Sequence, residues 1–459
     1  MKLPLSPLTA ISPLDGRYAH RTEPLRAYLS EYALMKYRCL VEIEYLIAFS
    51  FQKEVRECKP ISRDLQKKLR DIVKDFSLAD AKKIKQLEKK TNHDVKAIEY
   101  FLQKKITDLD AKHLLPFLHF ALTSEDVNNI AYTLMWRDAI RNAYVPLLRQ
   151  LHKKLYTLSH QWSDIPLLSL THGQSASPTT LGKEISVFAY RLSRQLEALC
   201  DHEYSGKFNG AVGTWAAHVI AYPNVDWMKF SANFLKSFGL LPTLHTTQIE
   251  NGDALAANYL RISQINTILL DLVRDIWLYC MRGHLRLRRL SKEVGSSTMP
   301  HKINPIQFEN AEGNLGAANA QLYHLASALP VSRLQRDLSG STLIRTQGCA
   351  LAHSFTACHT IISGLERITP NRQSLSHELD VHWEVLAEAI QTLLRKAGKQ
   401  DAYEIVKNKT RGMAFSQEDY HVLIDDLPLP SKDKLLLKKL SPQRYIGYAA
   451  KLASLIPMP

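Results

Sequence analysis

The chain has 459 residues, 45% apolar and 23% charged, and its 59 Lys and Arg outnumber 45 Asp and Glu for a formal charge of +14. That length points to more than one domain, and that balance excludes a disordered or low-complexity polymer. The most apolar long stretch, Ala254 to Met281, carries Arg261, Asp271, Arg274 and Asp275, which excludes a membrane span.

The N-terminus has no basic stretch leading into an apolar core, so the protein is expected to be cytoplasmic, with no membrane partner. Six cysteines, Cys39, Cys58, Cys200, Cys280, Cys349 and Cys358, are scattered without a Cys-x-x-Cys pair, so neither zinc nor disulfides are expected. No phosphate-binding glycine loop and no His-Glu-x-x-His sequence occurs, so no metal or other cofactor is expected. The positive charge suits either nucleic acid or a substrate bearing phosphate and carboxylates. Lys82, Lys83, Lys85, Lys89 and Lys90 fall at helical spacing beside apolar residues, with no aromatic interleaving, so nucleic acid is not an expected partner.

In chain order, Asp15-Gly16-Arg17-Tyr18 is a polar turn. Thr91-Asn92-His93 opens a helix with Val95, Ile98 and Leu102 on its apolar face, and the free N–H groups of a first turn favour an anion. Periodicity pauses at Asp110 to His113, and Thr123-Ser124-Glu125-Asp126 then reads as a capping box. His172 lies just before a helix start expected at Ser177-Pro178, which leads into the stripe Leu181, Ile185, Phe188, Leu192, Leu196 and Leu199. No Gly or Pro intervenes between Gly252 and Gly283, so the stripe from Leu255 to Ile276 predicts a helix of about 45 Å at about 1.5 Å per residue.

Asn304 is expected to cap the next helix with Pro305 at its first position. Its seam runs Phe308, Ala311, Leu315, Ala318, Leu322, Leu325, and Pro330 closes it. Cys358-His359 follows an apolar helical pattern and is assigned to the core. Pro370-Asn371 marks a break before a smaller basic region. Stretches such as Ala211 to Trp215 are too short to imply a sheet. The expected architecture is all-α, with helical domains over 1–112 and 369–459 flanking a central long-helix bundle over 113–368.

Residues 295–305 read Gly-Ser-Ser-Thr-Met-Pro-His-Lys-Ile-Asn-Pro, a donor-rich loop suited to an anion. This loop closely resembles that of the fumarase/aspartase superfamily, and His301 with the blocks at 15–18, 91–93, 123–124, 171–174, 246–250 and 333–345 is most similar to the adenylosuccinate lyases. The tail Asp380 to Glu388 continues the likeness to their long bacterial form. The resemblance implies a cofactor-free elimination of fumarate from adenylosuccinate, giving AMP, and from the succinyl-carboxamide ribotide of the purine pathway. It also implies a homotetramer whose active sites draw on three subunits.

Such an elimination needs a base for a proton beside a carboxylate, an acid for the departing nitrogen, and donors for the charge that develops. A serine serves as base only near its alkoxide form, and backbone N–H groups, Thr298 and Lys302 supply the means. Chemistry does not choose between Ser296 and Ser297; the resemblance points to Ser296 as base and Ser297 as a binding residue. Histidine, with an unperturbed pKa of about 6.5, suits a general acid, and the resemblance gives that role to His172.

The resemblance further implies that Arg17, Tyr18, Thr91, Asn92 and His93 bind substrate, and that Thr123 and Ser124 hold a carboxylate. It implies that Gln248, Lys302, Asn304 and Asn310 contact substrate, and that Arg336, Ser341, Thr342 and Arg345 grip the nucleotide phosphate, a task for which the planar guanidinium is fitted. Two departures stand out: Asn251-Gly252 replaces Pro-His, and Gly340 replaces an acidic residue. Among rivals, other superfamily members whose substrates lack phosphate have no need of His93 together with the arginine-rich 333–345 segment. Intact Ser296, His172 and Lys302 argue against a non-catalytic relative.

Overall fold

Short polar side chains start most of the N-terminal helices of this computed structural model, which describes residues 3–289, 295, 298–412 and 415–458. Ser30 caps α1 (Glu31–Ser50) by accepting the Ala33 N–H, and Ser62 does the same for Leu65 at α2 (Arg63–Lys74). Ser77 and Asp80 form a capping box on α3 (Leu78–Thr91), which ends at Asn92 in the left-handed region. His93 caps α4 (Asp94–Asp108), and Thr123 with Asp126 forms the capping box of α5 (Ser124–Ala139). A π-helical turn at Ile140–Tyr144 joins α5 to α6 (Val145–Gln161).

The long helices follow the apolar stripes. They are α7 (Leu181–Cys200), α9 (Asp253–Met281), α10 (Ile306–Ala328) and α11 (Gln347–Leu365), with α8 (Trp227–Ser237) between the first two. Every residue of the Phe308 to Leu325 seam and of the Leu255 to Ile276 stripe is buried. At about 1.5–3 kcal/mol for each fully buried large apolar side chain, these seams contribute substantially to stability. Cys39, Cys58 and Cys358 are buried thiols, and none of the six cysteines is bridged. No helix among the described residues is long and apolar enough to cross a membrane.

Contacts divide the chain into two compact units. The first comprises Met1–Leu147, Glu197–Asn266 and Asn314–Ala357. Inside it a buried polar ladder fixes helix register. Trp136 donates to Asn258 (2.8 Å) and meets the Tyr259 ring edge-on, and Tyr259 donates to Gln347 (2.8 Å). Ser354 lies 2.7 Å from the Tyr144 hydroxyl and donates to Asn266, whose amide donates to Asn319 (2.9 Å). Because an unmatched buried polar group is costly, a slip of one turn would strand several of these partners.

The second unit comprises Leu148–Leu196, Thr267–Gly313 and Cys358–Pro459. Its helices approach closely at glycines. An added Cβ at Gly182 would collide with the Ser159 carbonyl, and one at Gly364 would come within 2.8 Å of the Phe308 ring. A separate apolar cluster forms among the short helices after Arg372. It includes Leu379, Leu386, Ile390, Tyr420 and Ile424, together with Leu168.

Strands are few and occur in pairs. Pro166–Thr171 (β1) and Gln174–Thr180 (β2) form an antiparallel hairpin, Ser205–Gly206 (β3) pairs in parallel with Leu241–Pro242 (β4), and Leu285–Leu287 (β5) pairs with Ile368–Pro370 (β6). The all-α architecture holds, but the helix start expected at Ser177-Pro178 is wrong. Those residues belong to β2, and α7 begins at Leu181, where the Thr180 hydroxyl accepts the Lys183 N–H. Pro178 lies near the end of a two-stranded ribbon, where a missing N–H is tolerated. The start of α10 is also shifted. It begins at Ile306, the Pro305 carbonyl takes the Phe308 N–H (3.0 Å), and Asn304 is not its cap.

Candidate active site

In the first unit, a chain of hydrogen bonds gathers residues distant in sequence. Arg336 is its centre: its guanidinium reaches the Gln248 amide oxygen (3.3 Å), the Ser341 hydroxyl (3.2 Å) and Glu125 (3.0 Å). Glu125 also accepts from Asn128 (2.9 Å), Asn128 accepts from Arg38 (2.9 Å), and Arg38 pairs with Asp94 (2.7 Å). Arg345 approaches the same Asp94 oxygen (3.3 Å). Burial pushes the Asp94 carboxyl upward, but Arg38, the Val95 N–H and Arg345 outweigh it and hold the pKa below the ordinary value.

His93 and Thr123 sit at the N-termini of α4 and α5. His93 Nδ1 accepts the Lys96 N–H (3.1 Å), which leaves Nε2 as the free ring nitrogen for a ligand at this half-exposed position. Thr91 ties the turn together by accepting the His93 N–H (3.3 Å), and Asn92 supplies the left-handed residue between the helices. The Thr123 N–H donates to Asp126 (2.9 Å), and Ser124 begins the helix half-buried. The 15–18 turn leaves Arg17 exposed and Tyr18 partly covered, and Asp15 lines a cleft with Arg26, Arg345 and Gly348.

Behind this surface, Lys207 and Asp126 form a wholly buried ion pair (2.9 Å). The ammonium also donates to the carbonyls of Gly210 (2.8 Å) and Gln248 (2.9 Å), so it fixes the backbone that presents Gln248 to Arg336. The Gln248 amide in turn donates to the Ala211 carbonyl (3.0 Å). Thr342 is exposed beside Ser341 on the helical turn Ser339–Ile344. The two departures share one location: Gly252 and Gly340 both line a cleft of about 680 Å³ with Glu125, Tyr132 and Ser341. A Cβ at Gly340 would meet nothing within 4 Å.

In the second unit, His172 and Gly173 are the two loop residues of the β1–β2 hairpin, both at positive φ (53° and 74°). That is the backbone of a type I′ turn, which matches strand twist but strains any residue with a side chain. His172 is exposed at the tip. Ser296 and Ser297, with residues 290–294, lie outside the described residues.

The flanks of the loop are described. An added Cβ at Gly295 would collide with the Lys302 carbonyl, and Asn304 donates to the Gly295 carbonyl (3.0 Å). Lys302 and Arg289 line a small cleft here with Gly295 and Asn304, which puts two cations beside the described flank of the loop. Asn310, in the first turns of α10, accepts from Thr360 (3.4 Å). Among the described residues no group of three His, Cys, Asp or Glu is placed to hold a metal.

Glu125, Asn128, Arg38, Asp94 and Lys207 were not singled out as site residues from the sequence. Glu125 and Asp94 had a signal, since each directly follows a matched block at a helix start. Arg38 and Lys207 had none, because an isolated basic residue in an apolar context is ordinarily read as solvent-facing.

A long-helix fold with arginines clustered beside two helix N-termini suits the handling of an anionic ligand, and the comparisons give its class. Residues 16–321 match the family model described as Lyase, and residues 332–446 match the one described as Adenylosuccinate lyase C-terminal. The chain belongs to this lyase family, in the adenylosuccinate lyase branch of the fumarase/aspartase superfamily. It is 46% identical over 450 residues to the adenylosuccinate lyase of Vibrio cholerae, covering 98% of this chain and 99% of that one. It is 46% identical over 446 residues to that of Escherichia coli (97% and 98%) and 45% identical over 455 residues to that of Dictyostelium discoideum (96% and 97%). Two solved structures share the fold at 19% identity. One is a fumarate lyase from Mesorhizobium sp. BNC1 (TM-score 0.69, covering 95% and 96%), and the other a 3-carboxy-cis,cis-muconate lactonizing enzyme from Pseudomonas putida (0.68, covering 94% and 95%).

Proposed function

We propose that this enzyme eliminates fumarate from adenylosuccinate, releasing AMP, and from the succinyl-aminoimidazole-carboxamide ribotide, releasing the carboxamide. The observation that carries the reading is the convergence of Gln248, Arg336, Ser341 and Arg345 on one surface of the first unit. Ser296 takes the proton from the carbon beside a carboxylate. The electron pair becomes the fumarate double bond as the carbon–nitrogen bond breaks, and His172 gives its proton to the leaving nitrogen. Lys302 and the N–H groups near Gly295 stabilise the intermediate charge. Thr123 and Ser124 hold a carboxylate. Arg17 and Tyr18 bind substrate, His93 with Arg336, Ser341, Thr342 and Arg345 holds the phosphate end, and Arg336 must exchange Glu125 for substrate.

The test is an absorbance assay with adenylosuccinate beside one for fumarate release from argininosuccinate. Activity on the first alone supports the reading, and activity on the second alone sinks it.

The proposal includes a homotetramer with shared sites. Tyr190 on α7, Leu260 and Met281 on α9 and Tyr323 on α10 are large apolar side chains left about half exposed or more (53%, 49%, 62% and 49%), as faces awaiting another copy would be. His172→Asn and Lys302→Ala variants, each inactive alone, are expected to regain activity when mixed under subunit exchange, because some sites then receive both residues intact. Mixed tetramers seen by native mass spectrometry yet lacking activity would mean that each site is built within one subunit.

A further inference from the structure

The strong positive charge of this chain has a local expression on α3. Lys82, Lys85 and Lys89 lie three and four residues apart, which puts them on one helix face, and Lys90 follows in the last turn. The face borders a groove of about 740 Å³ floored by Tyr32, Met35, Leu78 and Ala81. Lys82, Lys89 and Lys90 make no ion pair among the described residues. Counter-charges are few. Lys85 pairs with Glu88 (2.6 Å) and Glu31 (3.3 Å), while Asp80, at the far end of the helix, is held by Lys105 (3.1 Å) and Lys83 (3.8 Å).

This row does not end in open surface. The helix runs directly into Asn92 and His93, and a second link leads the same way, since Glu31 bridges Lys85 to Arg345 (3.8 Å). Arg345 in turn meets Asp94, the residue after His93. Asp94 is already paired with Arg38, so it does not cancel the field of the row. The lysines therefore form a positive row that leads to the turn carrying His93, with Arg345 and Arg38 beyond it.

We propose that the lysine face of α3 is an electrostatic capture surface that draws a multiply anionic nucleotide onto the Thr91–His93 turn and Arg345. This rests on the reading of that turn as the phosphate-end site. A ligand carrying a phosphate and two carboxylates responds to each lysine several times over, and at low salt the field reaches about 10 Å or more. The lysines touch no reacting atom, so they act on encounter and affinity and leave the chemical step alone.

The test is a double charge reversal, Lys82→Glu/Lys89→Glu, in the full-length enzyme. At low ionic strength kcat/KM for adenylosuccinate is expected to fall roughly 10- to 100-fold with kcat within about 2-fold, and the gap should shrink below about 3-fold at high salt. The neutral pair Lys82→Gln/Lys89→Gln should fall between, which also covers a failure of the Glu variant to fold. The same net charge change on α8, Lys229→Glu/Lys236→Glu, should leave kcat/KM within about 2-fold. Calorimetric titration with AMP gives an arm independent of turnover, and its Kd should show the same salt-dependent loss. A gap insensitive to salt, an equal loss from the α8 pair, or no loss at all overturns the proposal. Wild-type enzyme that binds AMP but leaves adenylosuccinate intact would overturn the assigned reaction, while the AMP arm would still decide capture.

Discussion

Ser296→Ala is expected to lower kcat by roughly three orders of magnitude or more while KM stays within a few-fold. The asymmetry follows from when each contact acts. A base contributes only as the proton leaves, whereas the phosphate and carboxylate contacts proposed for the first unit would hold substrate throughout. Ser297→Ala, which removes a hydroxyl proposed only to bind, should cost much less in kcat. Steady-state kinetics on both variants decide it. A nearly normal kcat for Ser296→Ala, with Ser297→Ala inactive, would transfer the base to Ser297 and leave the rest of the site unchanged.

The second large effect is on stability. Lys207→Met leaves Asp126 buried without its ammonium and leaves the carbonyls of Gly210 and Gln248 without that donor. Breaking a buried pair from one side costs about 3–5 kcal/mol. Asp126 keeps the N–H groups of Thr123, Asn209 and Gly210, which places the expected loss at the lower end of that range. Lys207→Met/Asp126→Asn should recover part of the loss, because no uncompensated charge remains, yet KM should stay raised since Gln248 is still unanchored. Guanidinium midpoints for the two single variants and the double variant measure the coupling. A double variant less stable than either single one would show that the charges are not acting as a pair.

Much of this was legible in the residues, and what was not has identifiable causes. The seams along α7, α9 and α10 were visible because a buried helix repeats its apolar side chains every three or four positions. The starts of α4 and α5 were visible because a capping side chain must stand at a fixed offset from the N–H it satisfies. The β1–β2 hairpin escaped because Ser-Ala-Ser-Pro-Thr-Thr has almost no apolar alternation to mark a strand, and Pro178 resembles a helix start equally well. Lys207 escaped for a different reason. Burial of this charge depends on a partner contributed by a helix some eighty residues earlier, and nothing in the local sequence names Asp126. The Arg336 cluster was recognisable by family resemblance, but its link to Asp94 through Glu125, Asn128 and Arg38 exists only once three helices are brought together.

The hairpin tip imposes two unrelated demands on a single residue. Position 172 needs a titratable ring for the proposed proton transfer, and it also needs a side chain that tolerates a left-handed backbone (φ 53°). Asn and Gly meet the second demand and fail the first, and Asp meets the second with a carboxyl, mostly ionised at neutral pH, in place of the imidazole. Cysteine, lysine and glutamate could carry a proton but have no special tolerance of that backbone, while histidine is among the residues enriched there. Few substitutions can therefore be neutral at this position. Alanine is a poor probe of it as well, since it deletes the imidazole and strains the turn at once, so the two losses arrive as one number. Asparagine separates them, and a comparison of the Asn and Ala variants measures how much of the histidine is there for its proton and how much for its shape.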